Sequence, residues 1–147
     1  LAMAVFYGIY GNDLFVYAFI GSVATANGDT LASEIGETSS SKPRMITTLK
    51  ETEPGVDGGV TLLGEVASLL GALIISILAA ISGMTGLLGI VIGTAAGFLG
   101  TNFDSLLGAT LQSRGTLSNN GVNLAATAFG AIAGGVVWYV LHIWNIL

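Results

Sequence analysis

The run Asn27-Gly28-Asp29-Thr30-Leu31-Ala32-Ser33-Glu34-Ile35-Gly36 sets a carboxylate at the end of an apolar stretch, with the Ser33 hydroxyl one turn further along the same helical face. An acid in a membrane helix is expensive and is normally paired, metal-bound or solvated by a cavity. A carboxylate and a hydroxyl so spaced could begin a magnesium site that keeps several waters and completes its shell with substrate phosphates. The same residues also suit a helix end at which Asp29 is simply hydrated. Lys42, Arg44 and Lys50 follow, then Glu53-Pro54-Gly55-Val56-Asp57-Gly58-Gly59-Val60-Thr61. Glycine-rich backbone leading into a helix can present N–H groups to an anion, and three nearby cations would add the charge that phosphates demand. Pro-Gly and Asp-Gly-Gly are equally turn chemistry, and the spacing is not a Walker A sequence.

A third polar block carries Asn102, Asp104, Ser105, Gln112, Arg114, Ser118, Asn119, Asn120 and Asn123. Four-residue spacing puts Asp104, Gly108 and Gln112 on one helical face, so a carboxylate and an amide point the same way. Asn119-Asn120-Gly121 also reads as a turn between helices. The lone His142, beside Trp138 and Trp144, reads as an interfacial residue and not as a catalytic base.

The elements that must position these groups follow from composition. Of the 147 residues 52% are hydrophobic and 9% charged, against roughly 25% charged in a soluble domain. Ten of the thirteen charges lie between Asp29 and Glu65, and the 82 residues from Val66 onward hold only Asp104 and Arg114. Disorder is excluded by hydrophobicity, and nucleic-acid binding by four basic residues against nine acidic ones. The absence of cysteine removes disulfides, zinc–thiolate sites and thiol nucleophiles.

What remains is an all-α, polytopic transmembrane helix bundle. A span needs about 20 residues, and the 38 charge-free residues from Val66 to Phe103 are enough for two. The expected spans are residues 14–36, 60–82, 85–112 and 122–144, with a partial one at 1–10, and the expected loops are 37–59 and 113–121. The aromatics Trp138, Tyr139, His142 and Trp144 sit where a headgroup boundary would fall. Residues 1–10 are too few for a span and no methionine starts the chain, so a C-terminal fragment of a longer multi-pass protein is expected. No basic segment precedes the first apolar stretch, which argues against a cleavable signal peptide. Lys42, Arg44 and Lys50 in one loop and Arg114 in the other place both loops in the cytoplasm by the positive-inside rule. Small residues recur every fourth position at Ala24, Gly28, Ala32 and Gly36, at Gly89, Gly93 and Gly97, and at Gly130 and Gly134. Such stripes let helix backbones approach closely in lipid; they also leave open a homo-oligomer.

The order Gly28-Asp29-Thr30-x-Ala32-x-x-x-Gly36, Lys42-x-Arg44, Thr48-x-Lys50, Glu53-Pro54-Gly55 and Gly58-Gly59 resembles the integral membrane family called domain of unknown function ninety-two. The block from Asp104 to Gln112, followed by Ser118-Asn119-Asn120-Gly121-Val122-Asn123, is similar to the same family. A plant phytyl-phosphate kinase belongs to it, and more distant likeness extends to CTP-dependent polyprenol kinases and phosphatidate cytidylyltransferases. The resemblance implies phosphoryl transfer from a nucleoside triphosphate, CTP above all, to an isoprenoid monophosphate such as phytyl or geranylgeranyl phosphate. It implies Mg2+ held by Asp29, Ser33 and Asp104. Phosphates would be held by Lys42, Arg44 and Lys50 with the Gly58-Gly59 backbone, and Gln112, Asn120 and Asn123 would orient nucleotide or metal. Asp29, Lys50 and Asp104 are the expected catalytic set. The acid- and base-rich signature of cytidylyltransferases is absent from the second loop, where Gln112, Arg114 and asparagines stand instead. A CDP-lipid synthase, or a non-enzymatic transporter or scaffold, are the alternatives.

Overall fold

Apolar runs interrupted by glycine-bearing polar turns produce five helices. The computed structural model describes residues 2–146. Helix α1 (Ala2–Tyr10) and α2 (Leu14–Gly36) are followed by a polar strap, then α3 (Leu62–Ile81), α4 (Leu87–Leu107), a π-helical turn (Gly108–Gln112) and α5 (Asn119–Ile143). Within the strap, β1 (Arg44–Met45) pairs antiparallel with β2 (Gly59–Val60), Arg44 opposite Val60. Leu1 and Leu147, the ends of the expected first span and of the chain, lie outside the described residues.

The boundaries differ from the sequence reading for local reasons. Val60 is used by the ribbon, so α3 begins at Leu62, capped by Thr61, whose Oγ1 accepts from Gly64 N at 3.0 Å. The Thr61 hydroxyl also donates to Gly36 O at 3.4 Å, tying the end of α2 to the start of α3. Ser118 caps α5 through Gly121 N at 3.2 Å, so Asn119-Asn120-Gly121 is the first helical turn and not an inter-helix turn.

Three helices, α3, α4 with its π turn, and α5, are long and apolar enough to cross a membrane. Their outer faces expose large side chains such as Leu62, Leu87, Leu124 and Ile132, as lipid contact requires. Helix α2 has comparable length but carries Asn27, Asp29 and Glu34, and it packs against α3, α4 and α5 together. Its buried positions, Ile20, Ala24 and Gly28 among them, face those neighbours.

The glycine stripes are the seams. Gly97 meets Ala24 and Ala72, Gly28 meets Ser68 and Thr101, and Gly134 meets the Tyr17 backbone. The tightest crossing is between α2 and α5, where a Cβ on Gly130 would collide with the Thr25 hydroxyl and lie 2.7 Å from Gly21 O. From these contacts α4 runs parallel to α2, and α3 and α5 run antiparallel to it. The strap and the 113–118 loop therefore emerge at the same end of the bundle.

Trp138 departs from the headgroup placement. It is buried against Tyr17, ring centroids 6.1 Å apart, and His142 stacks on it at 4.7 Å. The histidine thus lies at the bundle end away from the polar loops.

Candidate functional site

At the loop-bearing end the bundle opens into a cavity of about 310 Å³. Helix α2 contributes Asp29, Ser33 and Gly36; the strap contributes Asp57, Gly58 and Gly59; α3 contributes Glu65. Thr101 and Asp104 come from α4, Gly108 and Gln112 from its π turn, and Asn119 from the start of α5. Beneath it, Thr25, Ser68 and Thr101 are fully or almost fully buried, and their hydroxyls donate to Gly21 O, Glu65 O and the carbonyls of Thr25 and Gly97. With these groups satisfied internally, the polar space ends there.

The lining is acidic. Among the described residues it holds five carboxylates (Asp29, Glu37, Asp57, Glu65 and Asp104) and no basic side chain. Asp29 and Asp104 line it together. Three of the acids are held by an amide from another element. Asn102 Nδ2 donates to Glu65 Oε2 at 3.2 Å, and Gln112 Nε2 donates to Asp57 Oδ1 at 2.8 Å. Asn123, with its amide nitrogen turned inward, donates to Asp104 Oδ2 at 3.2 Å and to Asn119 O at 3.2 Å. Ser33 Oγ donates to the Asp29 carbonyl at 3.1 Å, which leaves its lone pairs free.

The sequence-derived set therefore divides. Asp29, Ser33, Gly58, Gly59, Asp104 and Gln112 line one cavity, and Asn123 reaches it through Asp104. Asn120, exposed in the first turn of α5, does not line it. Lys42, Arg44 and Lys50 do not line it either. Lys42 pairs with Glu53 at 3.5 Å and Arg44 with Glu51 at 3.3 Å, all four side chains solvent-exposed. Arg44 also donates to Leu49 O at 3.1 Å, and Lys50 is exposed on the same ribbon. Glu53 and Glu51 of the same strap thus hold Lys42 and Arg44 away from the cavity.

Glu65, Asn102 and Asp57 were not among the expected site residues. For Glu65 the signal was present, because an acid in the first turn of an apolar span falls under the argument already applied to Asp29. Asn102 becomes visible only once α3 and α4 are known to be neighbours.

The donors suit a hard cation: carboxylate and hydroxyl oxygens, with no sulfur or imidazole nearby. No group of three His, Cys, Asp or Glu converges to cage a metal among the described residues.

A polytopic α-helical bundle with an acidic cavity under a glycine-bearing strap is the class of protein defined so far. Residues 1–131 match the family described as integral membrane protein DUF92, and the chain belongs to that family. An uncharacterized membrane protein of Methanocaldococcus jannaschii is 40% identical over 134 residues, covering 90% of this chain and 56% of that protein. One from Synechocystis is 35% identical over 114 residues, covering 77% and 44% respectively. Protein PGR of Arabidopsis thaliana is 38% identical over 110 residues, covering 67% of this chain and 38% of that protein. The chain spans about half the length of the curated relatives it matches. No solved structure matches it.

Proposed function

We propose that this chain forms the phosphate-handling end of a membrane kinase that transfers a phosphoryl group from a nucleoside triphosphate, CTP by family resemblance, to an isoprenoid monophosphate. The observation that carries the reading is the single cavity that joins Asp29, Asp104 and the Gly58-Gly59 backbone at the end of an apolar bundle. A lipid phosphate can present its head there while its chain stays in the bilayer.

Asp29, Asp104 and the Ser33 hydroxyl would hold Mg2+, with Asn123 fixing the Asp104 carboxylate. Held there, the ion would supply charge neutralisation for the triphosphate, which an acidic cavity would otherwise repel. The Gly58-Gly59 backbone lies over the same space and can approach phosphate oxygens without intervening side chains. An oxygen of the acceptor phosphate forms the new bond to the γ-phosphorus while the bond to the β,γ-bridging oxygen breaks, releasing a nucleoside diphosphate. That acceptor is already anionic, so positioning and charge suffice and no strong general base is required. This agrees with His142 lying away from the cavity. The cavity opens on the cytoplasmic side in this reading, where triphosphates are found.

Lys42, Arg44 and Lys50 act in this reading as an outer field that draws the anion toward the strap. Lys50→Ala is then expected to lower kcat/KM for CTP by about two- to threefold at low salt, an effect that fades as ionic strength rises. Steady-state rates at two salt concentrations measure it.

The decisive assay supplies the purified protein in detergent with Mg2+, CTP and phytyl or geranylgeranyl phosphate. A kinase yields the prenyl diphosphate and CDP. Release of pyrophosphate with a CDP-lipid would make it a cytidylyltransferase, and no magnesium-dependent turnover with any lipid phosphate would favour a transporter or scaffold.

A further inference from the structure

The strap meets the end of α4 at the edge of the cavity. Ile46 N donates to Gly58 O at 3.0 Å, and Gly59 N to Val56 O at 2.9 Å, so residues 44–60 behave as one small hydrogen-bonded unit. That unit rests on α4 where α4 is no longer an α-helix. Ser113 N donates to Gly108 O at 3.0 Å and Thr116 N to Leu111 O at 2.9 Å, each five residues back, so the turn is wider than the helix before it. A π turn of this kind is rare and tends to mark functional sites.

The two backbones touch there. A Cβ on Gly58 would lie 2.6 Å from Ala109 N, and one on Gly108 would lie 3.1 Å from Gly58 N. Gly58 also has φ +78, which suits glycine and leaves its peptide facing α4. Beside this contact, Gln112 Nε2 donates to Asp57 Oδ1 at 2.8 Å across 55 residues of sequence, half-buried at the cavity edge. Gln112 lines the cavity with Asp104 and Gly108, and from the last position of the π turn its amide reaches Asp57.

We propose that Gln112 is a positioning residue: through Asp57 it seats the Gly58-Gly59 backbone on the π turn and so fixes the roof of the acidic cavity. This goes beyond a direct contact of Gln112 with nucleotide, since its amide nitrogen is already committed to Asp57. It rests on the kinase reading only for the claim that the roof meets phosphates; the tether itself is independent of it.

Hydrogen–deuterium exchange on the detergent-purified protein reads the tether directly. Gln112→Ala and Asp57→Ala should each raise amide exchange across residues 44–60 by about tenfold, while residues 62–81 keep their protection. Asp57→Asn keeps the acceptor oxygen and should keep wild-type exchange. In the CTP assay Gln112→Ala should raise KM by about tenfold while kcat moves by less, as expected when a binding surface is loosened. Unchanged exchange in Gln112→Ala would overturn the tether. Raised exchange with an unaltered KM would overturn the role of the roof in binding. A wild-type protein that turns over no triphosphate would remove the kinase reading, and the exchange data would still decide the tether.

Discussion

Asp29→Asn is expected to reduce magnesium-dependent formation of prenyl diphosphate by about 10³-fold or more while leaving the thermal midpoint within about 2 °C of wild type. The substitution keeps the shape of the side chain and removes its charge. Asp29 sits near the end of α2, the helix that packs against α3, α4 and α5, so its carboxylate is carried by the most constrained element of the bundle. In the proposed mechanism its charge and that of Asp104 bind the cation, and phosphoryl transfer without that neutralisation has little else to draw on. Asn123 supports Asp104, and no amide supports Asp29 among the described residues. Chelation of divalent cations by EDTA should reproduce the loss in the wild type, and added Mg2+ should restore it. Initial rates of CDP release, alongside a thermal melt, make the measurement. Full activity in Asp29→Asn would sink the assignment of the metal.

Gly130→Val is expected to prevent the bundle from closing. The new Cβ would occupy the position of the Thr25 hydroxyl and press on Gly21 O, a backbone atom that cannot swing aside. Packed interiors do not absorb such volume without moving helices. The cost lies at or above the top of the about 1–3 kcal/mol typical of overpacking, because the obstacle is main chain. A fall of more than about 10 °C in the thermal midpoint, or loss of a monodisperse peak in detergent, would show it. Gly86→Ala, with nothing within 4 Å of the added methyl, is the matched control and should change neither. A Gly130→Val protein as stable as the control would mean that α2 and α5 do not meet as described.

Much of this architecture was legible because apolar length and four-residue glycine spacing report directly on helix number and helix seams. The convergence of Asp29 and Asp104 was legible too, since basic residues assigned the two polar loops to one face and those loops do meet. The strap was not. Two strands of two residues each leave no alternation to detect, and their pairing depends on how α2 and α3 bring residues 44 and 60 together. The π turn was hidden for a related reason: Asp104, Gly108 and Gln112 satisfy an ordinary helical face, and only the contact with Gly58 reveals the widening. Lys42 and Arg44 misled because charge counting ignores which acids lie beside them. Lys42 and Arg44 each fold back on an acid of their own loop. Trp138 misled because aromatic clustering near a chain end resembles an interfacial belt, whereas Tyr17 supplies a buried partner for it.

The position of α2 has a consequence for how such a chain is made. It is translated before α3, α4 and α5, and it is the long helix that has the length of a span without the apolarity. Leaving the translocation channel alone, it would present Asn27 and Asp29 to lipid at a cost of several kcal/mol. Within this chain the neighbours that cover it are α3, whose Gly64 and Gly71 lie against it, and then α4 and α5. Among the described helices, the long partners that cover α2 are therefore all ones the ribosome synthesises after it.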